Sequence, residues 1–264
     1  MQSSLCLPQC SVEQFRTRPL LTPMHTQSFS IDARHALFSG NTIFIQGKRA
    51  LDRTANWLAL KGIDIFERGL CEYMPKHIVH TLKSLAERDP SINTLLTLGL
   101  CENMLAWYTV RNQYNECITL QSLLLGKGGP RFTVGEVVFV QALLGTHLGL
   151  YTVLDNTRGR LLLRQDFVGD DPEPILASSG YMAALFPQGA HVGVRLLRVN
   201  GDLCVGNALY PLSHTGYTLL KERVEELFQE DEYTESERAF AVDACLLASV
   251  ALWAPCLEKI TNTH

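Results

Sequence analysis

The stretch Leu148–Leu212, LGLYTVLDNTRGRLLLRQDFVGDDPEPILASSGYMAALFPQGAHVGVRLLRVNGDLCVGNALYPL, decides the fold. Leu150, Thr152 and Leu154 alternate with Tyr151, Val153 and Asp155, the period of two that gives a strand its two faces. Asp155-Asn156-Thr157-Arg158-Gly159 carries turn chemistry, and Arg160 to Arg164 runs out again as a short strand flanked by charge. The patch Asp170-Asp171-Pro172-Glu173-Pro174 predicts a loop. Proline cannot donate to a ladder, so this loop leads into an edge strand near Ile175 to Ser178. His191 to Val199 alternates strongly. Asn200-Gly201 tolerates positive φ at both positions and predicts a hairpin turn, from which Leu203 to Leu209 returns. Gly206 marks a bulge or a close approach of backbone. Five short strands at this spacing predict a small antiparallel β-unit, barrel-like or strongly curved.

Upstream the periodicity turns helical. Pro8, Pro19 and Pro23 make residues 1–27 an irregular tail. Ser30 to Phe38 predicts a short helix, and Thr42 to Gln46 (TIFIQ) an isolated strand able to join the later sheet as an edge. Lys48 to Leu60 repeats Leu51, Ala55, Leu58 and Ala59 at helical spacing, with Gly62 as its stop. A helix is expected from Pro75 to Glu87. Another, Ser91 to Tyr108, is apolar almost all round and belongs in a core. Polar residues 111–115 precede a short helix ending near Leu125, and Gly126-Lys127-Gly128-Gly129-Pro130 reads as a linker. Thr133-x-x-Glu136 is a capping box opening a helix to about His147.

Downstream, from Thr215, Leu219, Leu220, Val224, Leu227 and Phe228 form one apolar stripe, and Glu222, Glu225, Glu226 and Glu230 a wet acidic face. Thr234-x-x-Glu237 is a second capping box, starting an apolar helix that covers one side of the sheet. The expected class is α+β, mainly helical, with the β-unit packed between N- and C-terminal helices. The expected division is a tail (1–27), a helical domain (28–126), a linker (127–132) and an α+β domain (133–264). In the last, the β-unit spans 148–212 and the C-terminal helices 213–256.

With 46% hydrophobic and 19% charged residues, the chain reads as globular rather than disordered. The net charge of −4 announces neither nucleic acid nor membrane. Residues 213–264 hold 4 Lys/Arg against 10 Asp/Glu, so the excess acid lies at the C-terminal end. The eight cysteines, 6, 10, 71, 101, 117, 204, 245 and 256, form no Cys-x-x-Cys pair, and no positive segment followed by an apolar one opens the sequence. These features predict a reduced, cytoplasmic protein. The apolar run Ala239–Ala254 contains Asp243 and falls short of the roughly 20 residues a membrane span needs, so no membrane partner is expected.

Chemistry-bearing motifs are sparse. Gly126-Lys127-Gly128-Gly129 departs from a phosphate-binding loop: the lysine comes early, no Ser or Thr follows it, and Pro130 intrudes. His77 and His80 share a helix face but lack further ligands, so no metal and no cofactor are expected. Arg18 and His25 have the spacing of a helical ribonuclease pair, but Pro19 and Pro23 fall between them. There is no G-x-S-x-G, and Cys204 with His191 or His214 reads as a buried structural thiol unless the groups face each other. Arg158, Arg160, Arg164, Arg195 and Arg198 are candidate nucleic-acid contacts if strands 160–165 and 191–199 are adjacent. Tyr151, Tyr181 and Tyr210 would be the stacking platforms, with Asp166, Asp170 and Asp171 opposing phosphate. Glu222, Glu225, Glu226 and Glu230 are a candidate docking face for a basic partner.

One resemblance rests on the capped helix TVGEVVFVQALLG, the strand GLYTVLD, the RGRLLLR segment and the run FPQGAHVGVRLLRVNGDLCVGNALYPL. Residues 139–212 are similar to a poorly characterised bacterial β-domain often found ahead of a zinc-binding SEC-C tail. There G-x-x-V/L-x-x-R-L begins the penultimate strand and Y-P-L closes the last. Gly189 to Leu196 and Tyr210-Pro211-Leu212 stand in those places here. The tail's cysteine-rich motif is missing from the sequence, so the resemblance implies no zinc. It implies a bacterial or mobile-element origin and no activity.

The expected function is a non-enzymatic, cytoplasmic interaction protein, an adaptor, regulator or inhibitor whose partner is another protein. Nucleic-acid binding through the β-unit's arginines is the first alternative. An enzyme whose site assembles only in space is the second.

Overall fold

The computed structural model describes residues 33–63, 80, 83–84, 86–88, 90–111, 117–166, 172–228, 242, 245–246, 249, 252–253 and 255–256. The tail 1–27, His77, Asp170, Asp171, Glu230 and the Thr234-x-x-Glu237 box lie outside them, as does the side chain of Tyr181.

Chain order gives α1 (Ala33–Leu60), α2 (Pro90–Trp107), β1 (Thr109–Arg111), β2 (Cys117–Thr119), α3 (Leu120–Leu125) and α4 (Val134–Leu143). There follow β3 (Leu148–Thr157), β4 (Arg160–Gln165), β5 (Ile175–Ser178), a 3-10 turn (Gly180–Leu185), β6 (His191–Val199), β7 (Asp202–Leu212) and α5 (His214–Phe228). Helix outweighs strand among the described residues, and the class is α+β.

The expected strand Thr42–Gln46 does not exist: it lies inside one continuous 28-residue helix. From Thr42 on, Ile43, Gly47, Ala50, Leu51, Thr54 and Leu58 are its buried positions, a stripe at spacings of 4, 3, 1, 3 and 4. β-Branched Thr42, Ile43 and Ile45 favour strand only weakly, by tenths of a kcal/mol each. Burying the stripe outweighs that preference at roughly 1.5–3 kcal/mol per large side chain. Gly62, at φ 71°, ends the helical segment as expected.

In α2, every residue from Leu98 to Ala106 is buried, Glu102 and Asn103 included. The capping box at Thr133 forms: its Oγ1 accepts from Glu136 N–H, and Glu136 Oε2 accepts from Thr133 N–H at 2.8 Å. That helix stops at Leu143, short of His147, because Gly145 turns the chain at φ 73°. One core joins Leu51 and Leu58 of α1, Met104 and Leu105 of α2, Leu124 of α3 and Phe139 of α4 to Leu197, Val199 and Cys204 of the sheet. The expected linker is a loop within this packed body, since residues on both sides of 127–132 share the core and Trp57 Nε1 donates to Gly128 O.

The five later strands form a mixed sheet, ordered β3-β4-β5-β7-β6 with β6 returning to β3. Four ladders are antiparallel; β5 meets β7 in parallel through the single pair Ser178 and Cys204. The all-antiparallel expectation therefore fails at one seam, and β5 is no free edge. Val153, Leu161, Leu163, Ala177, Val192, Val194 and Val205 of the sheet form a second core with Ala183 and Phe186 of the 3-10 turn. Asn156 Nδ2 donates to both Ala183 O and Phe186 O, which ties the turn to β3. Both predicted turns are two residues long with positive φ throughout, Asn200-Gly201 and Arg158-Gly159. The strand before the second runs two residues further than its Asp-Asn-Thr composition suggests.

Leu246 and Trp253 pack on β6 and β7. Trp253 is buried edge-on against Tyr210, 5.1 Å between ring centroids, and its Nε1 donates to Leu246 O. A Cβ at Gly193 would stand 2.6 Å from Leu246 Cδ2.

Candidate functional site

Two polar clusters flank the β6–β7 hairpin, one buried and one at the rim. The buried one begins with a bulge. Val194 pairs with Leu209 and Leu196 with Val205, so Arg195 alone faces residues 206–208. Such a bulge leaves backbone groups without ladder partners. The N–H groups of Asn207 and Ala208 both donate to Glu102 Oε2, each at 2.8 Å. Gly206 is required beside it, since a Cβ there would lie 2.3 Å from Glu102 Oε1. Arg195 Nε stands 3.8 Å from that oxygen, with both side chains fully buried. The guanidinium also donates to Thr146 O, to Thr146 Oγ1 and to Asn103 Oδ1.

Burial pushes the Glu102 carboxyl up to about 7, against the opposing pull of Arg195 and the two N–H donors. Burial, then Arg195, pushes neighbouring His147 down to about 3. Glu102 and Arg195 are engaged with the fold itself: both side chains are fully buried, and the carboxylate closes the bulge. Asn207 completes the cluster, its side-chain amide buried with no hydrogen-bond partner among the described residues.

The rim cluster is accessible. Thr152 on β3, Asp166 just past β4, His191 opening β6, and His214 and Tyr217 on α5 meet there. Thr152 Oγ1 lies 3.3 Å from Asp166 Oδ2 and 3.1 Å from His191 Nδ1. On the other side of the ring, His191 Nε2 lies 3.4 Å from His214 Nδ1. Tyr217 stacks on His191 with centroids 3.8 Å apart and planes 7° from parallel, and its hydroxyl hydrogen-bonds with Asp166 and Thr152. Burial, His214 and Arg164 lower the His191 pKa; burial and Asp166 push Tyr217 up to about 12. These surroundings favour the uncharged imidazole of His191 and the intact phenol of Tyr217. Among the described residues no group of three or more His, Cys, Asp or Glu is placed to hold a metal.

The candidate arginines divide three ways. β4 neighbours β3 and β5, whereas β6 neighbours β3 and β7, so the condition for a shared face fails. Arg195 is buried with Glu102, which removes it as a phosphate contact. Arg164 is exposed beside the rim cluster, where its charge bears on Asp166, His191 and Tyr217. Arg158, Arg160 and Arg198 lie at the opposite end of the strands, on the β3–β4 and β6–β7 hairpins. A row of pairs, Arg160 with Ser178, Ser178 with Cys204 and Cys204 with Leu197, crosses the sheet there. Tyr151 and Tyr210 are each 4% exposed and offer no stacking platform.

Of the acidic residues, Glu222, Glu225 and Glu226 are exposed on α5, and Lys221 reaches Glu225 at 3.6 Å. Leu219, expected on the apolar stripe, is instead 49% exposed among them, while Leu220 and Val224 are buried. The helix is rotated so that one apolar side chain faces outward. Cys204 pairs across from Leu197, six residues along β6 from His191, so thiol and imidazole are roughly 20 Å apart at about 3.3 Å per residue. Burial pushes the Cys204 thiol up to about 11, the mark of an inert thiol.

Sequence reading missed Glu102, although a carboxylate within an apolar helix demands a buried partner. It also missed the His191–His214 contact, which the Asn200-Gly201 hairpin brings about by pairing the start of β6 with the end of β7. No helix among the described residues is long and apolar enough to cross a membrane. No protein-family model matches the chain, and searches of curated proteins and solved structures return no significant match.

Proposed function

We propose that this is a non-enzymatic interaction protein, an adaptor, regulator or inhibitor of the cytoplasm, that docks a basic partner on the outer face of α5. The observation carrying this reading is Leu219, half exposed and in line with Glu222 and Glu226 at positions i, i+3 and i+7 of one helix face. An apolar anchor flanked on one side by two carboxylates, with Arg223 at i+4, suits a partner that presents Lys or Arg beside a hydrophobic socket. The charges steer the encounter and the anchor supplies the desolvated contact. Purification of the tagged chain from its native host, beside a Glu222→Lys/Glu226→Lys variant and a Leu219→Asp variant, tests it. A stoichiometric basic protein held by the wild type and lost from both variants is expected. A partner retained equally by all three would end the proposal.

A second reading has its own support in the three arginines at the turn end. We read the curled sheet as a small barrel. In five-stranded Greek-key barrels, oligonucleotides bind around the loops joining the first to the second strand and the fourth to the fifth. Those loops here are Arg158-Gly159 and Asn200-Gly201, with Arg160 and Arg198 beside them. This is an analogy of topology, and function has to be shown at the site. Three phosphate contacts imply a salt slope of about −2 for a single strand. Anisotropy of a labelled oligonucleotide between low and high salt measures it, and binding unchanged by Arg158→Ala/Arg198→Ala would exclude the site.

A further inference from the structure

We infer that His191 and His214 form a two-histidine site for a divalent transition cation of the zinc class, spanning β6 and α5. Four features of the rim support it independently of the docking face.

The first is the spacing. His191 Nε2 and His214 Nδ1 are 3.4 Å apart. Two nitrogens each about 2.0–2.1 Å from a tetrahedral zinc ion stand about 3.3–3.4 Å from one another. The second is the support behind the ligand. A metal-binding histidine commonly gives its other ring nitrogen to a carboxylate or another oxygen, which fixes the tautomer and raises basicity. Here His191 Nδ1 meets Thr152 Oγ1, and Thr152 meets Asp166 Oδ2. If Thr152 donates to Asp166 and accepts from His191 Nδ1–H, the Nε2 lone pair is left facing His214.

The third feature is rigidity. The stack on Tyr217 fixes the His191 ring, so little orientation is lost on binding. The fourth is access: His214 is exposed and His191 only half buried, which lets a hydrated ion reach them. The proton balance also closes. In the free pair one proton sits between the two rings; when the metal takes its place, His214 carries that proton on Nε2 instead, and both rings stay neutral.

The surroundings set the limits. Asp166 supplies one negative charge, while Arg164 and Lys221 are positive and lie within electrostatic reach of it. With two protein ligands, the other coordination positions belong to water. The site is therefore open and of modest affinity, rather than a closed structural centre.

The test is calorimetric titration of ZnCl2 into the full, chelator-stripped chain at pH 7.5, with thermal melts alongside. The wild type is expected to bind zinc and to melt higher with it, because the ion joins β6 to α5. His214→Ala removes an exposed ring with little packing role, and is expected to weaken this site at least tenfold and abolish the rise in melting temperature. His191→Gln should do the same, and Tyr217→Phe, which keeps the stack, should retain binding. Zinc bound elsewhere on the chain, by other histidines or cysteines, would persist in His214→Ala. Absence of zinc binding in the wild type, or binding and melting shifts unchanged by His214→Ala, would overturn the inference.

Discussion

Gly47 in the middle of α1 poses a contest between two effects whose magnitudes are known. In an ordinary helix interior, Gly→Ala stabilises by about 1 kcal/mol. Here a Cβ at position 47 would stand 2.2 Å from Asn207 Nδ2 and 2.5 Å from Phe139 Cε2. Both neighbours are buried, and neither is the loose end of a surface chain. Overpacking of this kind costs about 1–3 kcal/mol, more where the backbone cannot retreat. The clash wins, and Gly47→Ala is expected to destabilise by about 1–2 kcal/mol net. For a chain of this size that is a fall of about 2–8 °C in melting temperature. Urea unfolding followed by circular dichroism measures it, with an unchanged m-value showing that the denatured state is not responsible. Asn207→Ala removes the nearer obstacle and an amide that has no partner among the described residues. The double variant should recover part of the loss, with a coupling of about 0.5–3 kcal/mol. A Gly47→Ala protein more stable than wild type, or additive effects in the double variant, would refute the close approach of α1 to β7.

Four further outcomes follow from the buried cluster and the cap. His147 has a folded pKa near 3, below its ordinary value of 6.5, so its contribution is present above about pH 6.5 and drains away as pH falls toward 3. A His147→Gln variant should show a shallower loss of melting temperature on that acid limb. Glu102 is raised, from 4.5 to about 7, so its contribution is full below pH 4.5 and lost as pH rises through 7; Glu102→Gln should flatten that segment of the profile. Gly206→Ala should destabilise by more than a typical surface change, about 2 kcal/mol or more, since its Cβ would meet the Glu102 carboxylate at 2.3 Å. Thr133→Ala removes half of the capping box and should cost about 1 kcal/mol in urea.

The β-unit was legible because its signals are local. Asn200-Gly201 marks a turn whatever surrounds it, and Gly206 marked the bulge because only an absent side chain admits a neighbour so close. Thr133 and Glu136 cap their helix within four residues. Thr42–Gln46 misled because five residues show the β-branched composition of a strand but not the 16-residue stripe from Ile43 to Leu58. The arginines misled for a different reason. Five guanidinium groups within 41 residues look like one basic face until strand order is known, and order is a long-range property. Arg195 is buried because a glutamate 93 positions earlier receives it, and no window of local sequence contains both. The acidic face was legible as charge. That Leu219 stands among it was not, because a helical stripe read from sequence is uncertain by about one position in rotation.

The offset between the two halves of the β6–β7 ladder has a consequence for how the hairpin chooses its alignment. Near the turn, Val199 pairs with Asp202 and Leu196 with Val205; beyond the bulge, Val194 pairs with Leu209 and His191 with Leu212. The partners have slid by two residues. A slide of one would turn every side chain of β7 inside out, and the apolar pattern would forbid it. A slide of two leaves each side chain on its own face, so hydrophobicity is blind to the difference between the bulged hairpin and a straight one. What distinguishes them is the pair of N–H groups that the straight hairpin would spend on its own ladder and the bulged one offers to Glu102. The alignment of this hairpin is thus decided from outside it, by a single carboxylate on a helix more than a hundred residues earlier in the chain.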